Sequence, residues 1–219
     1  MQVNNIEFNW LGHDGFKLVT PDNKVVYIDP YKISEVHHKK NDAEIVLISH
    51  NHFDHLSIED LRHVINEKTM IIAASECIEK LKQEGFKNVK NVEPGQTIEE
   101  RGVSIEIVPA YNTNKNFHPK DDKKIGFIFS FDKMLKIYHA GDTDKIPEMS
   151  EFKPDIALVP VSGVYVMSAD EAADAVNNLI KPSKLAIPMH YGTIVGSLDD
   201  AKKFKTLVKI CPVEILAQE

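Results

Sequence analysis

Short apolar runs alternate with amphipathic stretches along the chain, and this pattern predicts an α/β fold. The runs at 45–48 and 70–74 are continuously apolar, as is typical of strands buried on both faces. The predicted strands are 6–11, 16–19, 25–28, 45–49, 70–74, two within 97–108 around a turn at 100–102, 126–131, 135–138, 156–159, 184–187 and 213–216. A turn at Asp132-Lys133 is predicted to join two of them.

Four amphipathic segments predict helices. Ser57 is predicted to be the N-cap of the first helix, with Asp60 completing a capping box, and Ser168 is predicted to cap the third. Gly85 is expected to end the second helix. The predicted helices run from 57 to about 66, from 76 to 84, from 169 to 179 and from 199 to 209. Because no linker, repeat or low-complexity stretch interrupts the pattern, we expect one domain over residues 1–219.

Composition and charge narrow the function classes. The chain has 219 residues and a formal net charge of −7, which argues against broad, charge-driven binding to long nucleic acids or to anionic membranes. No basic and apolar leader opens the sequence, and no apolar stretch approaches the roughly 18 residues that span a bilayer. Cys77 and Cys211 are too few for a disulfide framework and are interpreted as ordinary thiols. We therefore expect a cytoplasmic protein.

Candidate chemistry begins directly after the apolar run at 45–48. Residues 48–56 read I-S-H-N-H-F-D-H-L, which places His50, His52, Asp54 and His55 within six positions. Imidazoles and carboxylates suit a borderline divalent metal such as zinc. Four such side chains exceed what one tetrahedral ion needs from a single loop. The spacing therefore predicts two neighbouring ions that share this loop.

Further ligand candidates follow other predicted strands. Asp142 comes after strand 135–138, with Gly141 before it, and His190 comes after strand 184–187. His118 lies in the loop that follows residues 97–108. Because sites in α/β sheets form at the carboxyl ends of strands, these side chains are expected to reach one edge.

The His-x-His-x-Asp-His motif at 50–55, with Gly141-Asp142 and His190 downstream, resembles the metallo-β-lactamase superfamily. The stretches 10–13, 28–30, 48–56 and 141–144 are similar to one branch of it. That branch holds ascorbate-6-phosphate-lactonase-like hydrolases and the phospholipase D that acts on N-acyl phosphatidylethanolamines. The resemblance runs from about residue 6 to about residue 195. It implies a four-layer αβ/βα sandwich with metals at one edge between two inner sheets.

The resemblance also implies a role for each ligand. His50 and His52 would hold the first metal, Asp54, His55 and His190 the second, and Asp142 would bridge the two. The family places a third histidine on the first metal, just after the strand that ends near 109, where this chain reads Ala-Tyr-Asn at 110–112. Either Asn112 serves as a weak oxygen ligand, or His118 reaches the metal from a longer loop. Imidazole is the better ligand, which favours His118.

The sequence allows more than one role for several other polar residues. His13 could contact substrate or anchor a turn, and Asn112 and Lys115 are further candidates for binding substrate. Lys115 and Lys120 would flank the pocket and hold an anionic group if His118 binds metal. Asp29 is expected to orient a histidine, and His139 to pack in a sheet or support ligands. Solvated surface positions are expected for His37, His38 and His63.

These residues together predict metal-assisted hydrolysis. Two divalent ions, Zn²⁺ or Mn²⁺ with Fe as an alternative, would activate a bridging hydroxide, and Asp54 would orient it. The expected substrate is a small, anionic ester or lactone. Three alternatives stay open: a phosphodiesterase or nuclease of the same fold, an iron-dependent redox protein, and a non-catalytic binding protein stabilised by metal. The sequence leaves a homo-oligomer open.

Overall fold

The computed structural model describes residues 1–131 and 135–219. These residues form two compact units: unit 1 comprises Met1–Val92 with Leu216–Glu219, and unit 2 comprises Glu93–Ile215. Each unit contains one mixed sheet, which confirms the α/β class. A single domain over residues 1–219 stays a prediction, and the turn predicted at Asp132-Lys133 lies outside the described residues.

Unit 1 is built on a seven-stranded sheet whose strands lie in chain order. The strands are β1 (Gln2–Val3), β2 (Ile6–Gly12), β3 (Gly15–Val19), β4 (Val25–Ile28), β5 (Ile45–Ile48), β6 (Met70–Ala74) and β7 (Val89–Val92). Neighbours from β1 to β4 are antiparallel, and neighbours from β4 to β7 are parallel. All residues of β5 are buried, and β6 is buried except at Met70, which is half-buried, largely as the continuous apolar runs predict.

Two short helices connect the parallel strands of unit 1. Helix α1 (Ile58–Val64) joins β5 to β6, and helix α2 (Ile78–Gln83) joins β6 to β7. Ser57 caps α1, since its hydroxyl accepts the Asp60 N–H. The prediction that Asp60 completes a capping box is wrong. Its carboxylate instead accepts the backbone N–H groups of Lys32 and Ile33, at 3.0 and 3.1 Å. Asp60 therefore ties the loop after β4 to α1.

Unit 2 is built on a six-stranded sheet in the order β13-β12-β11-β10-β9-β8. The strands are β8 (Thr97–Glu100), β9 (Val103–Pro109), β10 (Ile125–Phe131), β11 (Leu135–His139), β12 (Ile156–Pro160) and β13 (Leu185–Met189). Neighbours from β8 to β11 are antiparallel, whereas β11, β12 and β13 are parallel. Gly126 on β10 lies against β11 so closely that a Cβ there would stand 2.7 Å from the Ala140 carbonyl oxygen.

Helix α3 (Ala169–Ala175) and helix α4 (Leu198–Leu207) complete unit 2, and a turn of π-helix at Val176–Ile180 extends α3. A full capping box begins α3. The Ser168 hydroxyl accepts the Glu171 N–H, and the Glu171 carboxylate accepts the Ser168 N–H at 2.8 Å. The predicted cap at Ser168 is confirmed, and this box holds the start of the helix that follows β12.

Strand direction places candidate residues at one edge of each sheet. In unit 1, β2 and β4 are both antiparallel to β3, and β5 is parallel to β4, so these three strands end at the same edge. In unit 2, β9 and β11 are both antiparallel to β10, and β12 and β13 are parallel to β11. These four strands therefore end at the same edge. Both edges are carboxyl ends of strands, where α/β sheets build their sites.

Several predicted boundaries differ from the structure. Strands β1 and β7 were not predicted, because the first is very short and the second carries polar residues on an edge. The predicted strand at 213–216 is wrong: an isolated bridge joins Val213 to Ala186. Among residues 1–131 and 135–219, no helix combines the length and apolar character needed to cross a bilayer.

The prediction that His37 is solvated is wrong, since this residue is only 4% exposed. It lies in a short helical turn, Glu35–His37, with its ring edge-on to Tyr27 at 6.5 Å between centroids. Burial lowers the pKa of His37. Its neighbour His38 is exposed, as predicted, and stacks on the half-buried His63 with ring centroids 4.0 Å apart.

Replacement of Ser168 by alanine should lower the free energy of unfolding by about 1 kcal/mol, because it leaves the first turn of α3 without its side-chain acceptor. Chemical denaturation measures the change. The matched variant Ser168→Asp keeps an acceptor at the N-cap and should stay within a few tenths of a kcal/mol of the wild type. Equal losses in both variants would contradict a capping role.

Candidate metal centre

The histidine loop of unit 1 follows β5 and gathers buried donor atoms. His50 and His55 are fully buried, and Asp54 is 8% exposed. The ring nitrogens His50 Nε2 and His52 Nδ1 face each other at 3.0 Å. One ligand atom each from His13, Asp54 and His55 lies within 4.8 Å of the others. Unit 1 by itself therefore brings together two groups of candidate ligands.

Asp29, at the carboxyl end of β4, orients this loop. Its carboxylate accepts the Ser49 N–H at 2.8 Å and the Ser49 hydroxyl at 2.5 Å, and it bonds to His55 Nδ1 at 2.8 Å. The Ser49 hydroxyl also lies 3.0 Å from His50 Nδ1. Because the Nδ1 atoms of His50 and His55 are held in this way, their Nε2 atoms are the ones turned to a ligand position. The expectation that Asp29 orients a histidine is confirmed.

The side chain of His13 belongs to the same cluster. Its Nε2 lies 2.9 Å from Asp54 Oδ2, while its carbonyl oxygen accepts the Trp10 indole N–H at 2.9 Å. His13 has φ of +52°, which non-glycine residues rarely adopt. The backbone of His13 thus anchors the turn after β2, and its imidazole holds Asp54.

Asp14 was not identified from the sequence, although it stands beside His13 in the same glycine-framed turn. It is fully buried, and its Oδ2 lies 3.5 Å from His55 Nε2. A second buried carboxylate therefore faces the ligand nitrogen of His55. The signal that could have revealed it is an acidic residue in the two-residue turn between the strands β2 and β3.

In unit 2, Asp142 stands between two imidazoles. Asp142 Oδ2 lies 3.2 Å from His118 Nε2, and Asp142 Oδ1 lies 3.3 Å from His190 Nε2. All three residues are at most 3% exposed. His139, buried at the end of β11, accepts the Gly141 N–H through Nδ1 at 3.2 Å and so supports the turn that carries Asp142. Each carboxylate oxygen of Asp142 therefore faces a different histidine.

Ser162, which follows β12, fixes the orientation of His190. Its hydroxyl lies 2.9 Å from His190 Nδ1, which turns Nε2 towards Asp142. No local pattern indicates this contact, because 28 positions separate the two residues. Burial raises the pKa of the adjacent Tyr191 to about 12, so its phenol stays neutral at physiological pH.

The loop that carries His118 is held by hydrogen bonds of its own. Asn112 accepts the His118 N–H through Oδ1 at 3.0 Å and donates through Nδ2 to the Tyr165 carbonyl at 2.9 Å. The Asp144 carboxylate accepts the Thr113 N–H at 2.8 Å and pairs with Lys115 Nζ at 2.6 Å. Asn112 thus uses its amide to shape the loop, which favours His118 as the ligand.

The donor sets of both units fit a divalent metal. In a tetrahedral zinc site with bonds of about 2.0–2.1 Å, neighbouring ligand atoms stand about 3.3 Å apart. The separations of 3.0 Å for His50 and His52, 3.2 Å for His118 and Asp142, and 3.3 Å for Asp142 and His190 match that spacing. Buried carboxylates are costly without a cation or hydrogen bonds, and imidazole with carboxylate suits zinc, manganese or iron.

Comparisons with known proteins agree with these clusters. The model of the Beta-lactamase superfamily domain matches residues 7–190. A UPF0173 metal-dependent hydrolase of Thermoplasma acidophilum is 34% identical over 214 residues, which cover 94% of this chain and 92% of that protein. Another UPF0173 metal-dependent hydrolase, from Koribacter versatilis, is 28% identical over 229 residues, with 97% and 96% covered.

Solved structures match in fold. A crystal structure from Parabacteroides distasonis has a TM-score of 0.82 and 32% identity, covering 96% of this chain and 92% of that one. Igni18, a metallo hydrolase from Ignicoccus hospitalis, has a TM-score of 0.78 and 25% identity, covering 97% and 95%. The predicted fold class, α/β of the metallo-β-lactamase type, is confirmed.

The Asp29→Asn variant should bind metal about 10–100-fold more weakly, because the neutral amide holds the Ser49 hydroxyl and His55 less firmly. Titration against a competing chelator measures the affinity. Asp42→Asn is the matched control in the same unit, since Asp42 pairs with Lys17 and Tyr27 instead. Equal affinity of Asp29→Asn and wild type would contradict the orienting role.

The His118→Ala variant should lose more than about 100-fold in affinity for one metal equivalent, since loss of a direct ligand exceeds the effect of an outer partner. Asn112→Ala should lose less, because it loosens the loop but keeps the imidazole. Elemental analysis after dialysis against dilute metal measures both variants. The opposite order would assign the ligand position to Asn112.

Proposed function

The chain belongs to the metallo-β-lactamase superfamily and, within it, to the UPF0173 metal-dependent hydrolase family, and from that premise we propose that it hydrolyses a carboxylic ester or lactone at a centre of two divalent metal ions. Its relatives are named metal-dependent hydrolases, and the chain is accordingly a metal-dependent hydrolase of this fold. The bond that is cleaved and the number of ions are the proposal.

We assign the candidate ligands to two ions, as the family resemblance implies. The first ion would be held by His50, His52 and His118, and the second by Asp54, His55 and His190. Asp142 would bridge them. The observation that carries this proposal is that the two oxygens of Asp142 face different imidazoles, at 3.2 and 3.3 Å. An imidazole at each oxygen of one carboxylate is the arrangement expected where that carboxylate joins two ions.

Two bound cations would supply Lewis acidity, which makes water a stronger nucleophile near neutral pH and stabilises charge that develops on the attacked oxygen. The side chains of this protein provide the geometry. Asp29 and Ser49 hold His50 and His55, and Ser162 holds His190. Asp54, whose Oδ2 is bonded to His13, is the residue that we assign to orient the attacking water.

The motifs at 10–13, 28–30 and 141–144 resemble a branch that includes lactonase-like hydrolases, which supports the choice of an ester or lactone. A lactone is a cyclic ester, so the same carbonyl chemistry serves both. Lys115 and Lys120, the candidates for holding an anionic group, are paired with Asp144 at 2.6 Å and Glu148 at 3.0 Å. Negative charge on the substrate is therefore not required by this proposal.

The test is elemental analysis of the purified protein together with a substrate panel of lactones, linear esters, phosphodiesters and phosphonates, with added Zn²⁺ or Mn²⁺. We expect two metal equivalents per chain and hydrolysis of lactones or esters that a chelator abolishes. Hydrolysis of phosphodiesters alone would replace the proposal with the phosphodiesterase alternative. A visible absorption band of bound iron, with no hydrolysis of any substrate, would favour the redox alternative.

The variants Asp142→Ala and His190→Ala should each lower kcat/KM by about 10²–10³-fold or more, because each removes a group that holds the charge-stabilising centre. Matched controls are Asp199→Ala, whose carboxylate is 88% exposed on α4, and His38→Ala on the surface of unit 1. Circular dichroism checks that all four variants stay folded. Full activity in Asp142→Ala would rule out the assigned centre.

A further inference from the structure

Asp14 is a buried carboxylate of unit 1 that has no place in the ligand sets assigned above. It is fully buried and lies beside His13 in the two-residue turn between β2 and β3. Gly12 and Gly15 pair across this turn, and a Cβ on Gly15 would stand 3.0 Å from the Gly12 carbonyl oxygen. The Trp10 indole N–H bonds to the His13 carbonyl oxygen at 2.9 Å. The turn is therefore tight, and it fixes the position from which Asp14 projects.

The side chain of Asp14 faces the imidazole of His55. Asp29 Oδ2 lies 2.8 Å from His55 Nδ1, and because a carboxylate accepts hydrogen bonds, Nδ1 is the nitrogen that carries the proton. In a neutral imidazole, Nε2 then offers a lone pair. Asp14 Oδ2 lies 3.5 Å from this Nε2, which is longer than the roughly 2.7–3.2 Å of an N–H···O hydrogen bond. Two electron-rich atoms thus face each other at a separation that a shared cation would bridge.

This separation suits two ligands of one ion. Neighbouring ligand atoms in a tetrahedral zinc site stand about 3.3 Å apart, and the 3.5 Å between Asp14 Oδ2 and His55 Nε2 is close to that spacing. Asp54 Oδ2 lies 4.0 Å from the same Nε2 and is bonded to His13 Nε2 at 2.9 Å. Asp14 therefore fits the coordination sphere of an ion at His55 at least as well as Asp54 does.

The charges of unit 1 also favour a cation at this position. Asp14 and Asp29 are fully buried, and Asp54 is 8% exposed. A buried carboxylate is costly unless hydrogen bonds or a cation compensate its charge. Asp29 accepts from the backbone and hydroxyl of Ser49 and bonds to His55. A divalent ion at His55 would bring the positive charge that Asp14 and Asp54 together balance.

We propose that Asp14 is a further ligand of the ion that Asp54 and His55 hold. The inference rests on the proposed function only in requiring an ion at His55, and it does not depend on which bond is cleaved. Unit 1 then gives this ion two carboxylates and one imidazole, whereas His50 and His52 give the other ion imidazoles alone. Carboxylate oxygens suit Mn²⁺, and imidazoles suit Zn²⁺. Asp14 therefore shifts the preference of its ion towards Mn²⁺.

The first measurement is the affinity of the metal-free protein for Mn²⁺ and Zn²⁺, by titration against a competing chelator. Asp14→Asn should weaken the binding of one Mn²⁺ equivalent by more than about 100-fold, because loss of a direct ligand exceeds the effect of an outer partner. The loss for Zn²⁺ should be smaller, since this ion depends less on carboxylate oxygen. A loss of Mn²⁺ affinity of about 100-fold or less, the range of an outer partner, would overturn the inference.

Asp60→Asn is the matched control in the same unit. Its carboxylate is also buried, at 7% exposed, but it accepts the backbone N–H groups of Lys32 and Ile33. This variant neutralises a buried carboxylate without touching the histidine loop, and it should keep the wild-type affinities for both metals. An equal loss of Mn²⁺ affinity in Asp60→Asn and Asp14→Asn would show a general effect of buried charge and would overturn the inference.

The second measurement uses the wild-type chain and so does not depend on the folding of a variant. In a crystal grown with Mn²⁺, anomalous scattering locates the ion. An oxygen of Asp14 should lie within about 2.0–2.6 Å of it, the range of carboxylate bonds to divalent ions. An ion bound to Asp54 and His55 with both oxygens of Asp14 outside that range would overturn the inference.

These results separate the inference from the proposed reaction. An ion bonded to Asp14, in a protein that hydrolyses no ester or lactone, supports the inference and counts against the reaction alone. Metal-dependent ester hydrolysis, together with unchanged Mn²⁺ affinity in Asp14→Asn, overturns the inference and leaves the reaction standing.

Discussion

The three hydrogen bonds of Asp29 are the constraint on which the histidine loop depends. The carboxylate holds the backbone and hydroxyl of Ser49 and the Nδ1 of His55, and through Ser49 it also reaches His50. An imidazole has two nitrogens, and fixing one decides which way the other points. Asp29 itself has φ of +40°, which is a strained conformation for a residue with a side chain. The strained residue directly follows β4, at the point where its carboxylate contacts the histidine loop.

In unit 2 a neutral hydroxyl, rather than a carboxylate, orients a histidine. Ser162 holds His190 through Nδ1, and the Gly141 N–H bond to His139 supports the turn of Asp142. The carboxyl ends of β11, β12 and β13 thus supply a candidate ligand, an orienting hydroxyl and a second candidate ligand in turn. Mixed sheets with a parallel half suit this task, because parallel neighbours end at one edge.

The loop at 112–118 brings an imidazole to the carboxylate of Asp142. The position after β9 carries Asn112, whose amide bonds the backbone of His118 and Tyr165. The loop brings His118 to Asp142. Phe117, next to His118 in the same loop, is exposed.

Local sequence patterns predicted many of the strands, helix caps and candidate ligands of this protein. The apolar runs predicted most strands, Ser57 and Ser168 were recognised as caps, and the spacing of His50, His52, Asp54 and His55 identified the chemistry, because each of these signals depends on neighbours in the chain. Other features depend on contacts between distant positions. Asp60 bonds the loop at 32–33, Ser162 orients His190 across 28 positions, and His37 is buried against Tyr27. A side chain's hydrogen-bond partner and its burial are set by packing, which no local pattern of polar and apolar residues encodes.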